Sequence, residues 1–244
     1  YWIYEGGKRI GGVLMRPNLL TGLFVEPPFT DINRVLGSLV TTVKEWSDPA
    51  LPIRAYGIVQ WQYEAFTRHG FRIIEGRRNM IRPTEILPYE FAEEFEIMAA
   101  REEYEVQTAE LLHAAFDGGA GIPMTLAQHV ETARDFYGTF IKKSEVMARA
   151  SSLVFNRATG ELVALCHVRE WEGWPMIDDI VVRPQYQGRG LATALLRKAI
   201  SEVAPHYPAI RLFVTVGNSA QSVYYNLGFI PGSEFYELEI PARV

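Results

Sequence analysis

The chain has 244 residues, 48% hydrophobic and 22% charged, which suits a compact protein of one or two domains with full cores. Its net charge of −5 argues against a general nucleic-acid binder. No apolar run reaches the roughly 18 residues that span a membrane, so no membrane partner is expected. The single Cys166 rules out an internal disulfide framework and fits a reducing cytosol, and five scattered histidines show no metal-ligand spacing, so no metal is expected.

In chain order, the first 86 residues echo the last 90. A strand around Trp2-Ile3-Tyr4 opens the chain. Leu23-Phe24-Val25-Glu26-Pro27 lies over Ile180-Val181-Val182-Arg183-Pro184 at an offset of 157, and Ile53-Arg54 lies over Ile210-Arg211 at the same offset. His69-Gly70-Phe71 then matches Leu227-Gly228-Phe229 at 158, and Ile81-Arg82-Pro83 stands against Glu239-Ile240-Pro241. The shared order reads as a tandem duplication, 1–86 and 87–244. Charge divides with it: the first copy holds 11 basic and 8 acidic residues, the second 13 and 21. Opposite signs favour docking of the copies, although surface pairs are individually weak.

The second copy reads as a complete domain. A strand over 95–100 and a helix over 104–116 precede a Gly-rich loop, and Thr125 caps a second helix to about residue 141. Strands 151–156 and 161–168 form a hairpin around Ala158-Thr159-Gly160. Cys166 falls in the second of them, where packing is a better account than nucleophilic chemistry. Strand 176–182, helix 189–204, strand 210–216, helix 219–227 and strand 234–240 complete the copy.

The stretch Gln187-Gly188-Arg189-Gly190-Leu191-Ala192, between strand and helix, describes a pyrophosphate cradle. Gly188 and Gly190 have no side chain to keep a ligand from the backbone, successive N–H groups turn toward an anion, and the helix adds its positive end. Arg189 supplies a nearby charge. A P-loop is excluded because no Gly-Lys-Ser/Thr follows. A dinucleotide fingerprint is excluded because Thr193 stands where its third small residue belongs, and no ribose-binding acid follows. The pattern Gln/Arg-x-x-Gly-x-Gly/Ala is met by Gln187, Gly190 and Ala192; an ordinary glycine turn before a core helix is the plainer alternative. Downstream, Asn218 precedes Tyr224 on a short helix that ends in Gly228-Phe229.

With these two motifs in this order, the chain resembles the GNAT superfamily of acyl-CoA-dependent N-acyltransferases, well over 90–244 and in degraded form over 1–86. The resemblance implies an α/β (α+β) fold, a mixed central sheet flanked by helices, here duplicated. It implies acetyl-CoA as co-substrate, lying on Gln187, Gly188, Arg189, Gly190, Leu191, Ala192 and Thr193, with Asn218 and Tyr224 further along. Pantetheine would enter a split between strands 176–182 and 210–216 and pair with Ile180, Val181 and Val182. Tyr224 takes the position of the general acid, with Tyr225 beside it. Asp178 takes that of a catalytic carboxylate, and strand alternation sends Asp179 to the other face. Either residue has a plainer reading, Tyr224 as a helix anchor and Asp178 as a hydrogen-bond acceptor for a loop.

The first copy has lost this chemistry. Thr30, Asp31, Asn33 and Val35 replace the cradle residues, Phe66 replaces Tyr224, and Thr21 replaces Asp178. It also lacks the family's opening strand and two helices, so it reads as a non-catalytic partial domain. The expected activity is acetyl transfer to a primary amine of a small-molecule acceptor, in the cytoplasm, by a monomer whose copies pair within the chain. The alternative is a silent acyl-CoA sensor or assembly module. A linker at 169–175, with Trp171 and Trp174, reads either as the rim of an acceptor mouth with Asp117 and Asp178, or as a solvated hairpin loop.

Overall fold

A computed structural model describes residues 1–29, 31–116 and 124–242, so Thr30 and Asp117 lie outside the described residues. The chain divides into two units, Tyr1–Arg78 with Ser233–Val244, and Asn79–Gly232.

In the first unit, β1 (Trp2–Glu5) and β2 (Lys8–Arg16) form a hairpin. Gly6 and Gly7, at φ 55° and 79°, provide the two left-handed residues that such a tight turn demands. β3 (Leu19–Val25) and β4 (Ile53–Val59) pair in parallel through α1 (Ile32–Trp46), and α2 (Gln60–Arg68) follows. Ile32, Leu36, Val40 and Val43 recur at helical spacing on α1 and are buried with Leu20, Ala55 and Phe66.

The second unit carries β6 (Phe95–Ala99), β7 (Ser152–Asn156), β8 (Leu162–Trp171), β9 (Trp174–Val182) and β10 (Ala209–Thr215). They lie side by side in the order β10-β9-β8-β7-β6. On one face, α5 (Glu145–Ala150) and α6 (Leu191–Val203) cover Cys166, Val168, Ile177 and Leu212. On the other, α3 (Glu105–Phe116) and α4 (Leu126–Asp135) cover Leu153, Leu165 and Val181. Burial also pushes the Cys166 thiol up to about 12, so it stays protonated and packs as an apolar group. The mixed α/β sheet flanked by helices is the fold that the sequence motifs imply.

Three local readings change. The helix expected from Thr125 to about residue 141 ends at Asp135 and continues as a π turn over Phe136–Phe140. That wider turn brings the adjacent Phe136 and Tyr137 into the core together. The linker at 169–175 is no loop: β8 and β9 run on through it, joined by Glu172 and Gly173 at φ 50° and 78°. The sequence reading also passed over α5.

The units do not follow the copies 1–86 and 87–244. β5 (Arg72–Pro83) ends the first copy and β11 (Ile230–Ile240) ends the second. Yet β4 pairs with β11, from Ile53↔Ile240 to Val59↔Phe235, and β10 has β5 as its neighbour. The copies have exchanged their last strands. Leu238 is accordingly buried with the first unit's core and Met80 with the second's. Arg82 on β5 is buried too; its guanidinium donates to the Leu227 carbonyl, at the end of α7 (Gln221–Asn226), and to the Pro83 carbonyl at 2.8 Å. Arg82→Met leaves the Leu227 carbonyl unpaired, a loss of about 2 kcal/mol. Calorimetry should show Tm falling by about 4–8 °C.

Candidate functional site

The cradle is built where β9 stops. A 3₁₀ turn, Pro184–Tyr186, leads to Gly188 and Gly190 at φ 76° and 80°. A Cβ at either glycine would meet nothing within 4 Å. Glycine is there for the left-handed backbone and for access, not for tight packing. Gly190 is the N-cap of α6 and gives it no side-chain cap, so the helix's first N–H groups are not held by a cap residue. Gln187 Nε2 donates to the Val182 carbonyl at 3.1 Å and ties the loop to the end of β9. Arg189 is held rather than free: it pairs with Glu94 at 3.3 Å and lies over the Tyr186 ring at 5.1 Å. Leu191 is buried as the helix's anchor, leaving its backbone to the cradle, while Ala192 and Thr193 are half-buried on the first turn.

The first unit shows what fills such a helix end when no ligand does. Asp31 caps α1, its Oδ1 accepting from Asn33 N–H at 3.1 Å and Arg34 N–H at 3.4 Å. The chain's own carboxylate occupies the anion position. Phe66, at the position of Tyr224, is wholly buried, and Thr21 donates its hydroxyl to the Tyr56 carbonyl.

Beside the cradle the sheet opens. β9 and β10 pair only at Met176↔Arg211 and Ile177↔Leu212, then separate. Arg183 N–H donates to the Val163 carbonyl at 2.8 Å, toward β8. Because N–H groups alternate along a strand, those of Val182 and Ile180 point into the opening, while Val181 belongs to the β8 ladder. Ile180 and Val182 are thus the strand's free backbone edge here, and Val181 contributes a buried side chain.

The acidic pair departs from simple alternation. Between His167↔Asp179 and Val168↔Ile177 the register slips, leaving Asp178 as a bulge residue. Both carboxylates therefore reach the α3/α4 face. Asp178 meets Arg169 at 2.9 Å, whose guanidinium lies over Phe140 at 5.0 Å; Asp179 meets His167 Nδ1 at 3.1 Å, whose ring stacks on Phe136 at 4.0 Å. The expectation that Asp179 points away from Asp178 is corrected by this bulge. Burial, then the neighbouring Asp179 charge, raise Asp178 to about 6, against the opposing pull of Arg169 and His167.

Tyr224 is buried on α7 among Val214, Cys166 and Phe229, its ring edge-on to Phe229 at 5.9 Å. Burial, with a smaller effect from Cys166, pushes its phenol up to about 12, so it stays protonated at neutral pH. Among the described residues its hydroxyl has no hydrogen-bond partner. Asn218 accepts the Ala220 N–H at 2.9 Å, shaping the turn into α7. Trp171 and Trp174 are both exposed beside the β8–β9 turn.

The sequence reading missed His167, Tyr137 and Thr108, which form a buried line behind Asp179. Thr108 Oγ1 lies 2.6 Å from Tyr137 Oη, and Tyr137 Oη lies 3.3 Å from His167 Nε2. His129 and His113 gather nearby, rings 5.5 Å apart. Scattered in sequence, three of the five histidines meet on one face. Among the described residues no group of three or more such side chains is arranged to hold a metal, and no helix is long and apolar enough to cross a membrane.

The site is thus a mixed sheet that parts beside a glycine-lined helix N-terminus. Residues 125–241 match the acetyltransferase (GNAT) domain family. No curated protein matches the chain. Among solved structures, a GCN5-related N-acetyltransferase from Sphaerobacter thermophilus superposes with a TM-score of 0.71 at 19% identity, covering 98% of this chain and 78% of that one. A tandem GNAT protein from the clavulanic acid biosynthesis pathway does so at 0.62 and 15% identity, over 100% and 82%. A putative GNAT acetyltransferase from Novosphingobium aromaticivorans gives 0.52 and 16%, over 93% and 85%. At these identities the likeness is one of fold.

Proposed function

We propose that the chain is an acetyl-CoA-dependent N-acetyltransferase acting on a primary amine of a small molecule, with one working site in its second unit. The observation that carries this reading is the uncapped α6 cradle lying next to the opening between β9 and β10. Acetyl-CoA would supply the activated thioester, and the open space at Gly188 and Gly190 fits its pyrophosphate. The compartment is the cytosol, in keeping with a buried, unpaired Cys166.

The residues divide the work. Asp178 takes a proton from the acceptor's ammonium group, leaving a neutral amine to attack. The Val182 N–H points into the opening and is the donor for the oxygen that gains charge as the C–N bond forms. When the C–S bond breaks, Tyr224 gives its phenolic proton to the thiolate, and the nitrogen's surplus proton restores the phenol through water. One proton remains on Asp178 and passes to solvent.

Gly190→Asp tests the reading by giving α6 the cap that α1 already has. A carboxylate at that helix end should weaken acetyl-CoA binding by about 2 kcal/mol, roughly 30-fold. Calorimetric binding and thiol release should be followed together with a panel of amines. Binding by wild type, its loss in the variant and amine-dependent release are the expected results. Tight binding without release for any amine would favour the silent sensor, and no binding by wild type would overturn the reading.

A further inference from the structure

Asp178 and Asp179 are adjacent, on one face, and supported differently. Asp178 is held by one guanidinium across the strand pair, and its side chain is 27% exposed. Asp179 is backed by a line of side chains that runs into the core: His167 is 1% exposed, Tyr137 1% and Thr108 none. The π turn makes that line possible, because it sets Phe136 flat against the His167 ring and Tyr137 at its far nitrogen. A ring held on one face and at both nitrogens has little freedom to turn.

The line runs inward from Asp179. Among the described residues it ends at Thr108, fully buried on α3. It is placed to orient what stands at its outer end. One consistent set of donors runs from Thr108 O–H to Tyr137 oxygen, from Tyr137 O–H to His167 Nε2, and from His167 Nδ1–H to Asp179 Oδ2. The last hydrogen bond of that set is donated to the Asp179 carboxylate.

We propose that His167, anchored by Tyr137 and Thr108, is a positioning residue that fixes Asp179 as the standing anion of the pair, leaving Asp178 as the carboxylate that exchanges the acceptor's proton. This rests on the transferase reading given above. Two like charges side by side cannot both stay ionised at little cost, and a donor built onto one of them decides which takes the proton. The raised pKa of Asp178, to which Asp179 contributes, agrees with that division. The other titratable or charged groups around the pair are Arg169 on β8 and His129 on α4, on the same face, and Cys166, on the opposite face of β8. Burial and His113 on α3 disfavour the charged form of His129, while Asp179 favours it. None of these three is hydrogen-bonded to Asp179 as His167 is.

The test is titration of the two carboxyl groups by carbon-13 NMR in the full chain labelled at aspartate, with Asp178→Asn and Asp179→Asn giving the assignments. In wild type, the resonance lost in Asp178→Asn should titrate near pH 6, while that of Asp179 shows no step there. Tyr137→Phe removes one hydroxyl and keeps the ring; His167→Gln removes the imidazole. In both, the proton taken up near pH 6 should be shared, so that the Asp178 step shrinks and Asp179 gains a matching one. If His167→Gln does not fold, Tyr137→Phe decides alone. A wild-type step belonging to Asp179, no wild-type step near pH 6, or an unchanged Asp178 step in Tyr137→Phe would overturn the proposal. Thiol release on the same samples separates the two readings. Shared titration with no release for any amine leaves the positioning in place and counts against the transferase. Amine-dependent release with unchanged titration does the reverse.

Discussion

Tyr224→Phe is expected to lower turnover about 100-fold or more, the range of a lost general acid, while leaving acetyl-CoA binding within about two-fold. The reason is the isolation of the hydroxyl. It has no hydrogen-bond partner among the described residues, so its removal breaks no contact that holds α7. Phe66 already fills the corresponding position of the first copy, wholly buried. An unchanged Tm beside a large fall in thiol release would therefore assign the effect to chemistry. A helix anchor predicts little kinetic change, and near-normal turnover would reject the acid. Tyr225, next in sequence and 42% exposed, is the residue to replace along with it if activity persists.

Asp178→Asn is the second large effect, again about 100-fold at neutral pH for a lost base. Its sign with pH is specific. A base must be ionised, so the wild-type rate should rise as pH passes about 6 and then level. The variant should lose that limb. Stability should move the other way. A carboxyl group whose pKa is raised by folding stabilises the native state while protonated, and that contribution disappears as pH rises through about 6. The Tm of Asp178→Asn relative to wild type should thus improve between pH 4 and pH 7. Activity that matches wild type across pH would remove Asp178 from the mechanism. A gain in stability paired with a loss of rate is what a residue held for function produces.

Much of this was legible in the sequence because it depends on local pattern. Gly188 and Gly190 declare a backbone that side chains would obstruct, and the stripe from Leu191 to Val203 declares the helix that follows. Phe66 for Tyr224 and Asp31 in the degraded cradle were equally visible. The bulge at Asp178 was not, since one extra residue in a ladder leaves no trace in hydrophobic period. Alternation then put Asp179 on the wrong face, and the line behind it went unseen. His167 and Tyr137 are 30 residues apart and meet only because a π turn and a strand lie together. The exchange of β5 and β11 was hidden for another reason. The two strands hold matching places in their repeats, so sequence alone cannot say which copy each one joins.

That exchange has a consequence for how the protein is made. A ribosome makes Tyr1–Arg78 before Ser233–Val244, so the first unit must wait for that later segment before its sheet has its last strand. Every residue of Asn79–Gly232 has by then been synthesised. The half that bears the cradle can close first, while the half whose helix end is capped by Asp31 is finished last, by a segment born some 180 residues after the strand it meets at Ile53↔Ile240. A nascent chain paused before Ser233 would present a closed second unit and an open edge on β4. Pulse proteolysis of stalled chains should cut the older half and spare the younger.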